Sequence, residues 1–353
     1  MPNYRNINVR SPFFTQKATT GSAVNCEIRL WKGDVVTDLP VDYTYLLSKE
    51  PTSGKSTFEV AELARDFLSH TTSLSSGFAW MQIILKDTIV ADDTFTFLVS
   101  EGYSINTEGL QSTNDTPLYD FVGLPTATIN GFANSSRIMV AEGSTNSIPY
   151  LSNSNGVDYT IDAYDASNVS LGLATIPLET NSSQMVKSYP ITPSISSAYF
   201  DFDGNGRNVV VDVLRCSKFD VVNLLYVNKA GFKTKFPFIL KSTEKISVDS
   251  ESFSRSTVDY GALTLNTNSH SSRKRIKDTK QSFVLNSDWI AEYYVSQFEE
   301  LMLSEYVWLE KGSLTLPVNI TTSKLDKKTH LNDKLINYSI EIETASNYIN
   351  TIR

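Results

Sequence analysis

The sharpest local pattern that could do chemistry is Asp201-Phe202-Asp203-Gly204-Asn205-Gly206. It matches the opening of a helix–loop–helix calcium frame, whose twelfth position falls on Asp212. Hard oxygens at alternate positions can wrap one Ca²⁺ while glycine permits the bend. The flanking stretches 197–200 and 209–213 read as strands, however, and that frame needs helices. The pattern therefore reads as a polar hairpin turn, with calcium binding as the alternative. Arg273-Lys274-Arg275, with Lys277 and Lys280, is the one dense basic run. No aromatics interleave with it, so the expectation is a solvated loop, with an acidic protein partner as the alternative.

Other reactive side chains form no constellation. Glu299-Glu300, Asp92-Asp93 and Asp162 with Asp165 are carboxylate pairs of a generic kind. His70, His270 and His330 lack partners three or four positions away, which leaves a zinc site without support. There is no G-x-S-x-G elbow, Walker loop or G-x-G-x-x-G. Cys26 and Cys216 lie 190 positions apart and read as two small buried thiols. Trp31, Trp80, Trp289 and Trp308 read as core anchors, with a sugar platform conceivable for one of them. No catalytic, cofactor-binding or metal residue is assigned.

The elements that carry these residues are expected to be strands. Ser, Thr and Asn exceed a quarter of the 353 residues, and aromatics reach 11%. That mixture suits short strands and frequent turns. A net charge of −8 and a pI of about 5.1 argue against a protein that coats nucleic acid. The polar first ten residues and the lack of a long apolar run predict a soluble cytosolic product.

Alternation predicts a strand over 25–31, 43–47 reads as a second strand, 80–85 and 94–99 read as a hairpin pair around Ala91-Asp92-Asp93, and 58–67 reads as a short helix. These form one β-sandwich over residues 1–102. Residues 103–125, poor in periodicity, read as a linker. A second β-sandwich is expected over 126–215, with strands over 137–140, 157–163 and 209–214. Residues 216–353 read as an α+β C-terminal domain, so the fold class is mainly β, with tandem β-sandwich modules ahead of it. Its clearest helix is expected to start at a Ser287 cap with Asp288 in the first turn, and to bury Ile290, Tyr294, Phe298, Leu301 and Met302. Ile336, Tyr338, Ile340 and Ile342 mark a strand, and Pro317 points to an edge strand or bulge. Charge divides along the chain. Residues 1–215 carry 13 basic and 23 acidic side chains, whereas 216–353 carry 18 and 16.

Three runs in the last third carry a family resemblance. They are Cys216-Ser217-Lys218-Phe219 with Leu225-Tyr226-Val227-Asn228-Lys229-Ala230-Gly231-Phe232; Phe283-Val284-Leu285-Asn286-Ser287-Asp288-Trp289-Ile290 leading to Leu303-Ser304-Glu305-Tyr306-Val307; and Leu316-Pro317-Val318-Asn319-Ile320 followed by Lys328-Thr329-His330-Leu331-Asn332-Asp333-Lys334-Leu335-Ile336-Asn337-Tyr338-Ser339-Ile340-Glu341. Near the front, Ser11-Pro12-Phe13-Phe14, Leu30-Trp31-Lys32-Gly33 and Tyr43, Tyr45, Leu47 and Lys49 are similar but less specific. With these the chain resembles structural virion proteins of tailed bacteriophages, especially of Bacteroidota hosts, including crAss-like phages and marine relatives. Where those proteins favour two glycines after the Asn-Lys pair, this chain has Ala230-Gly231.

The resemblance implies a non-enzymatic tail, neck or baseplate component, a ring or collar subunit that acts through assembly. It implies a homo-oligomeric ring, other tail or neck proteins as partners, no membrane and no direct nucleic acid. The implied location is the virion, assembled in the host bacterial cytoplasm. The alternative is a peripheral receptor- or carbohydrate-binding tail protein. A glycan hydrolase is a third reading, for which no pair of facing carboxylates speaks.

Overall fold

The computed structural model describes residues 5–19, 21, 23–32, 38–73, 76–113, 136–152, 159–176, 185–204, 207–215, 218–265, 267–326 and 335–348. The first module contains β1 (Arg5–Asn8), β2 (Phe13–Ala18), β3 (Val24–Trp31), β4 (Tyr45–Lys49), β5 (Lys55–Glu59), α1 (Ala61–Arg65), β6 (Phe78–Lys86), β7 (Asp93–Ser100) and β8 (Gln111–Ser112). A five-stranded sheet, ordered β1-β7-β6-β3-β4, faces a three-stranded sheet, β5-β2-β8. Between them Ile7, Cys26, Ile28, Met81, Ile83 and Phe97 meet Phe13 and Phe58. Alternation is the cause: in β3, Val24, Cys26, Ile28 and Leu30 are buried while Asn25 is exposed. Burial pushes the Cys26 thiol up to about 12, with Glu27 adding to the effect.

Two expectations need correction here. The helix expected over 58–67 is confined to Ala61–Arg65, because Ser56 and Phe58 alternate inward on β5. Residues 103–113, expected in a linker, pack on the sandwich. There β8 runs parallel to β2, and Gln111 accepts the Asn8 N–H at 3.1 Å. Residues 114–125 lie outside the described set.

The middle module contains β9 (Ser136–Ala141), β10 (Asn146–Ser152), β11 (Tyr159–Tyr164), β12 (Ser170–Ile176), β13 (Met185–Ile191), β14 (Tyr199–Gly204) and β15 (Arg207–Leu214). A five-stranded sheet, β12-β11-β14-β15-β9, covers the two-stranded β10-β13. Ile161, Phe202, Val209 and Val211 pack with Ile148 and Ile191, and the same cluster takes in Trp31, Trp80 and Leu98 of the first module. The two modules thus share an apolar boundary.

The third module contains β16 (Val222–Val227), β17 (Lys233–Phe238), β18 (Thr243–Ser254), β19 (Val258–Asp259), β20 (Thr264–Leu265), β21 (Ser272–Ala291), α2 (Val295–Leu303), β22 (Val307–Lys311), β23 (Leu314–Ile320) and β24 (Leu335–Thr344). Seven strands form one antiparallel sheet, β17-β16-β22-β23-β24-β21-β18. On one face α2 buries Phe298 and Leu301 against Phe236, Phe238, Tyr338 and Ile340. Burying such a side chain contributes about 1.5–3 kcal/mol. Among the described residues no helix is long and apolar enough to cross a membrane.

The helix starts later than its apolar stripe predicts. Trp289, Ile290 and Ala291 are still in β21, paired with Asn337, Ile336 and Leu335. The register shifts between Asn286 and Trp289, where Asp288 adopts φ 73°. The Ser287 hydroxyl does not cap a helix: it donates to the Asp288 carbonyl at 2.8 Å and accepts the Tyr338 N–H at 3.0 Å. A helix-like spacing of Ile290, Tyr294 and Phe298 here spans a strand end, a short turn and a helix. Pro317 also differs from expectation, since β23 lies between β22 and β24. Pairing with β24 begins only at Val318, so the missing proline N–H falls outside that ladder.

Candidate functional site

Strands β18 and β21 form a ribbon unlike any other part of the described residues. They pair through 12 positions, Thr243↔Val284 to Ser254↔Ser272, with an irregularity after Asp249. Every residue of β18 is exposed, as are the first six of β21. The basic run expected as a loop is therefore strand: Arg273, Lys274 and Arg275 lie opposite Phe253, Ser252 and Glu251. Pairing places Ile246, Val248, Ile276 and Lys274 on one face, and Lys245, Lys280, Arg275 and Arg273 on the other. Ile246, Val248 and Ile276 are exposed. The first face continues at its base into Phe283, which belongs to the module core.

At the tip, β19 pairs with β20, leaving Tyr260, Leu263 and Leu265 in solvent. Leu263 is 84% exposed and sits at φ 51°, a left-handed conformation that branched side chains rarely adopt. Strand β24 covers the edge of β21 only from Ser282 onward. Below that point Lys280 pairs with Glu343 at 3.1 Å and Tyr348 donates its N–H to the Thr279 carbonyl at 2.8 Å. Among the described residues, no strand pairs with the outer edge of β18.

A second feature ties the third module to the first. The turn between β16 and β17, part of the run that carries the family resemblance, is held by Asn228. Its Oδ1 accepts the N–H of Ala230 at 3.1 Å and of Phe232 at 2.9 Å. Ser100 donates to the Ala230 carbonyl at 2.9 Å, and Tyr103 N–H to the Lys229 carbonyl at 2.9 Å. Gly231 has φ 85°, and a Cβ there would lie 2.6 Å from Ser100 Cβ and 2.7 Å from Gly102 N. Only glycine fits so close an approach. The small departure noted at this turn is the buried Ala230.

A charged cluster borders that turn. Arg65 bridges Glu101 at 3.0 Å and also contacts Glu305, which Arg10 meets at 3.2 Å. His70 lies 3.6 Å from Glu101 and stacks on Tyr306 with centroids 4.3 Å apart. Burial of Glu101 opposes its ionisation, but His70 and Arg65 overcome this and hold its carboxyl below the usual range. Lys233, buried, donates to the carbonyls of Ser73 at 2.6 Å and Ser76 at 3.1 Å, and burial lowers its pKa to about 8. Sequence reasoning missed this joint, because its members are scattered over more than 200 positions.

The structure separates most of the residues singled out from sequence. Asp201 and Asp212 sit on the hairpin strands β14 and β15, as a hairpin reading requires, and Asp212 pairs with Arg137 at 3.1 Å. Residues 205–206 at its tip lie outside the described set, as do Cys216 and His330. His270 is exposed. Asp93 pairs with the buried Lys17 at 2.9 Å. Glu300 is pushed up to about 7 by burial, which its contact with Lys229 only partly offsets. Trp31, Trp80 and Trp308 are buried, whereas Trp289 is 63% exposed. Among the described residues, no group of three or more His, Cys, Asp or Glu could hold a metal ion.

On the outward face of the middle sheet, Asp162 lies beside Asp201 and Leu173 by register. Tyr164 and Tyr199 stack there at 4.8 Å. Leu173 is 63% exposed on the edge strand β12, with Val169 and Leu171 also in solvent. The β15–β9 end of the same sheet is covered: Tyr294 bonds to Asp212, Gln297 bonds to the Arg137 carbonyl, and Met139 enters the third module's core. An acidic, partly apolar face is left open at the β11–β12 end.

No protein-family model and no curated protein matches the chain. A solved structure described as the crystal structure of calcium binding domain CBD12 of CALX1.1 is similar at 12% identity over 58% of this chain and 76% of that chain, with a TM-score of 0.16. A likeness of that size carries no weight for function.

Proposed function

We propose that this protein is a non-enzymatic structural component of a bacteriophage virion, a ring or collar subunit of the tail, neck or baseplate that works through oligomeric assembly. The observation that carries the assembly part is the β18–β21 ribbon, exposed along its length and tipped with Tyr260, Leu263 and Leu265. A two-stranded ribbon gains little stability in water, and open edges invite pairing with another chain. Such a ribbon is suited to docking on a partner. The virion part rests on the resemblance of the three C-terminal runs.

Sedimentation of the purified full chain tests the first part, and mass spectrometry of purified virions the second. Concentration-dependent oligomers and virion peptides are the expected results. A strict monomer at high concentration, absent from virions, would overturn the reading. The exposed Trp289 favours a second reading, a peripheral carbohydrate-binding tail protein. Binding on a glycan array that Trp289→Ala abolishes would support it.

A further inference from the structure

We infer that the β18–β21 ribbon of one copy docks on the open outward face of the middle sheet of a second copy, its apolar side, Ile246, Val248 and Ile276, meeting Leu171 and Leu173, and Lys274 on that same side meeting Asp162. This rests on the assembly reading above and specifies its contact. The ribbon combines three properties that a docking element needs. It offers apolar side chains without covering them, it leaves an edge unpaired, and it carries the cation Lys274 on the same face as Ile246, Val248 and Ile276. At about 3.3 Å per residue, the 12 residues of β18 extend roughly 40 Å, long enough to cross a neighbouring sheet.

The acceptor face is complementary on the same counts. It lies in the acidic part of the chain, where residues 1–215 carry 23 acidic against 13 basic side chains. Its edge strand β12 presents Leu171 and Leu173 to solvent. Opposite charge on the two elements orients the docking, and the apolar pairs supply buried area. Ribbon and acceptor are different surfaces, so the contact is head-to-tail. Repetition of a head-to-tail contact closes into a ring when the rotation permits.

The test compares full-length chains by sedimentation velocity across a concentration series. One chain carries Ile246→Glu and Lys274→Glu on the ribbon's apolar face, a second carries Asp162→Lys and Leu173→Lys, and a third combines all four. Circular dichroism and thermal melting confirm folding, and Leu173→Lys alone replaces the acceptor pair if Asp162→Lys disturbs the sheet. The wild type is expected to assemble, each reversal to weaken association about tenfold or more, and the combined chain to recover it. Assembly of a reversed chain at wild-type concentrations overturns the docking site while leaving the ring reading intact. A wild type that stays monomeric overturns both. Wild-type assembly left intact by the ribbon reversal, together with duplex DNA binding that the reversal abolishes, would assign the basic strand to nucleic acid instead and overturn the inference.

Discussion

Two β-hairpins of the same seven-stranded sheet have opposite fates. The β16–β17 hairpin is buried almost throughout, and its turn at Asn228–Gly231 fits against Ser100 and Gly102 of the first module. The β18–β21 hairpin leaves the core after Phe283 and is exposed for most of its length. The sequences differ accordingly. Val222-Asn223-Leu224-Leu225-Tyr226-Val227 is apolar on both faces, as a strand covered on both sides demands. Thr243-Glu244-Lys245-Ile246-Ser247-Val248-Asp249 alternates, with apolar residues on one face only. The first hairpin joins modules within a copy. The second, on the present account, joins copies.

Mutations can break or sharpen this contrast. The largest effect is expected at the joint. Gly231→Ala adds a Cβ 2.6 Å from Ser100 Cβ at φ 85°, and is expected to destabilise the chain by about 3 kcal/mol or more, read in urea denaturation. Asn228→Ala leaves the N–H groups of Ala230 and Phe232 without their acceptor, a loss of ~2–3 kcal/mol in the same assay.

Next comes a pH-dependent effect. Burial raises Glu300 from 4.5 to about 7, so the folded chain binds a proton that the unfolded chain releases between those values. This group's contribution therefore makes stability fall as pH rises through that window. Glu300→Gln should match the wild type at pH 4 and exceed it above pH 7 by ~1–3 kcal/mol, measured by denaturation at both pH values. The smallest effect is expected in the ribbon. Val248→Asp should change the stability of the single chain by less than about 0.5 kcal/mol, because Val248 is exposed. A ribbon variant as damaging as Gly231→Ala would erase the distinction between the two hairpins.

Some strands of the first two modules, β3 and β11 above all, are legible in the sequence because their alternation is strict: Cys26, Ile28 and Leu30 inward, and Asp162 beside Ile161 on opposite faces. The C-terminal helix was legible in its buried stripe but not in its start. Ile290 packs in the core from a strand, and the irregular step at Asp288 lets strand residues continue a helical spacing. The basic run was legible as charge but not as strand, since Arg, Lys and Ser leave no inward-facing apolar series to mark one. The joint was not legible at all. Its signals are a glycine at positive φ, a buried Lys233 and a His70–Glu101 contact, each of which takes meaning only from a neighbour brought close by folding.

Electron microscopy of the purified full chain tests the central claim most directly. The account predicts closed rings in which each ribbon lies across the middle sheet of the adjacent copy. Single copies with the ribbon in solvent, at every concentration tried, would contradict it.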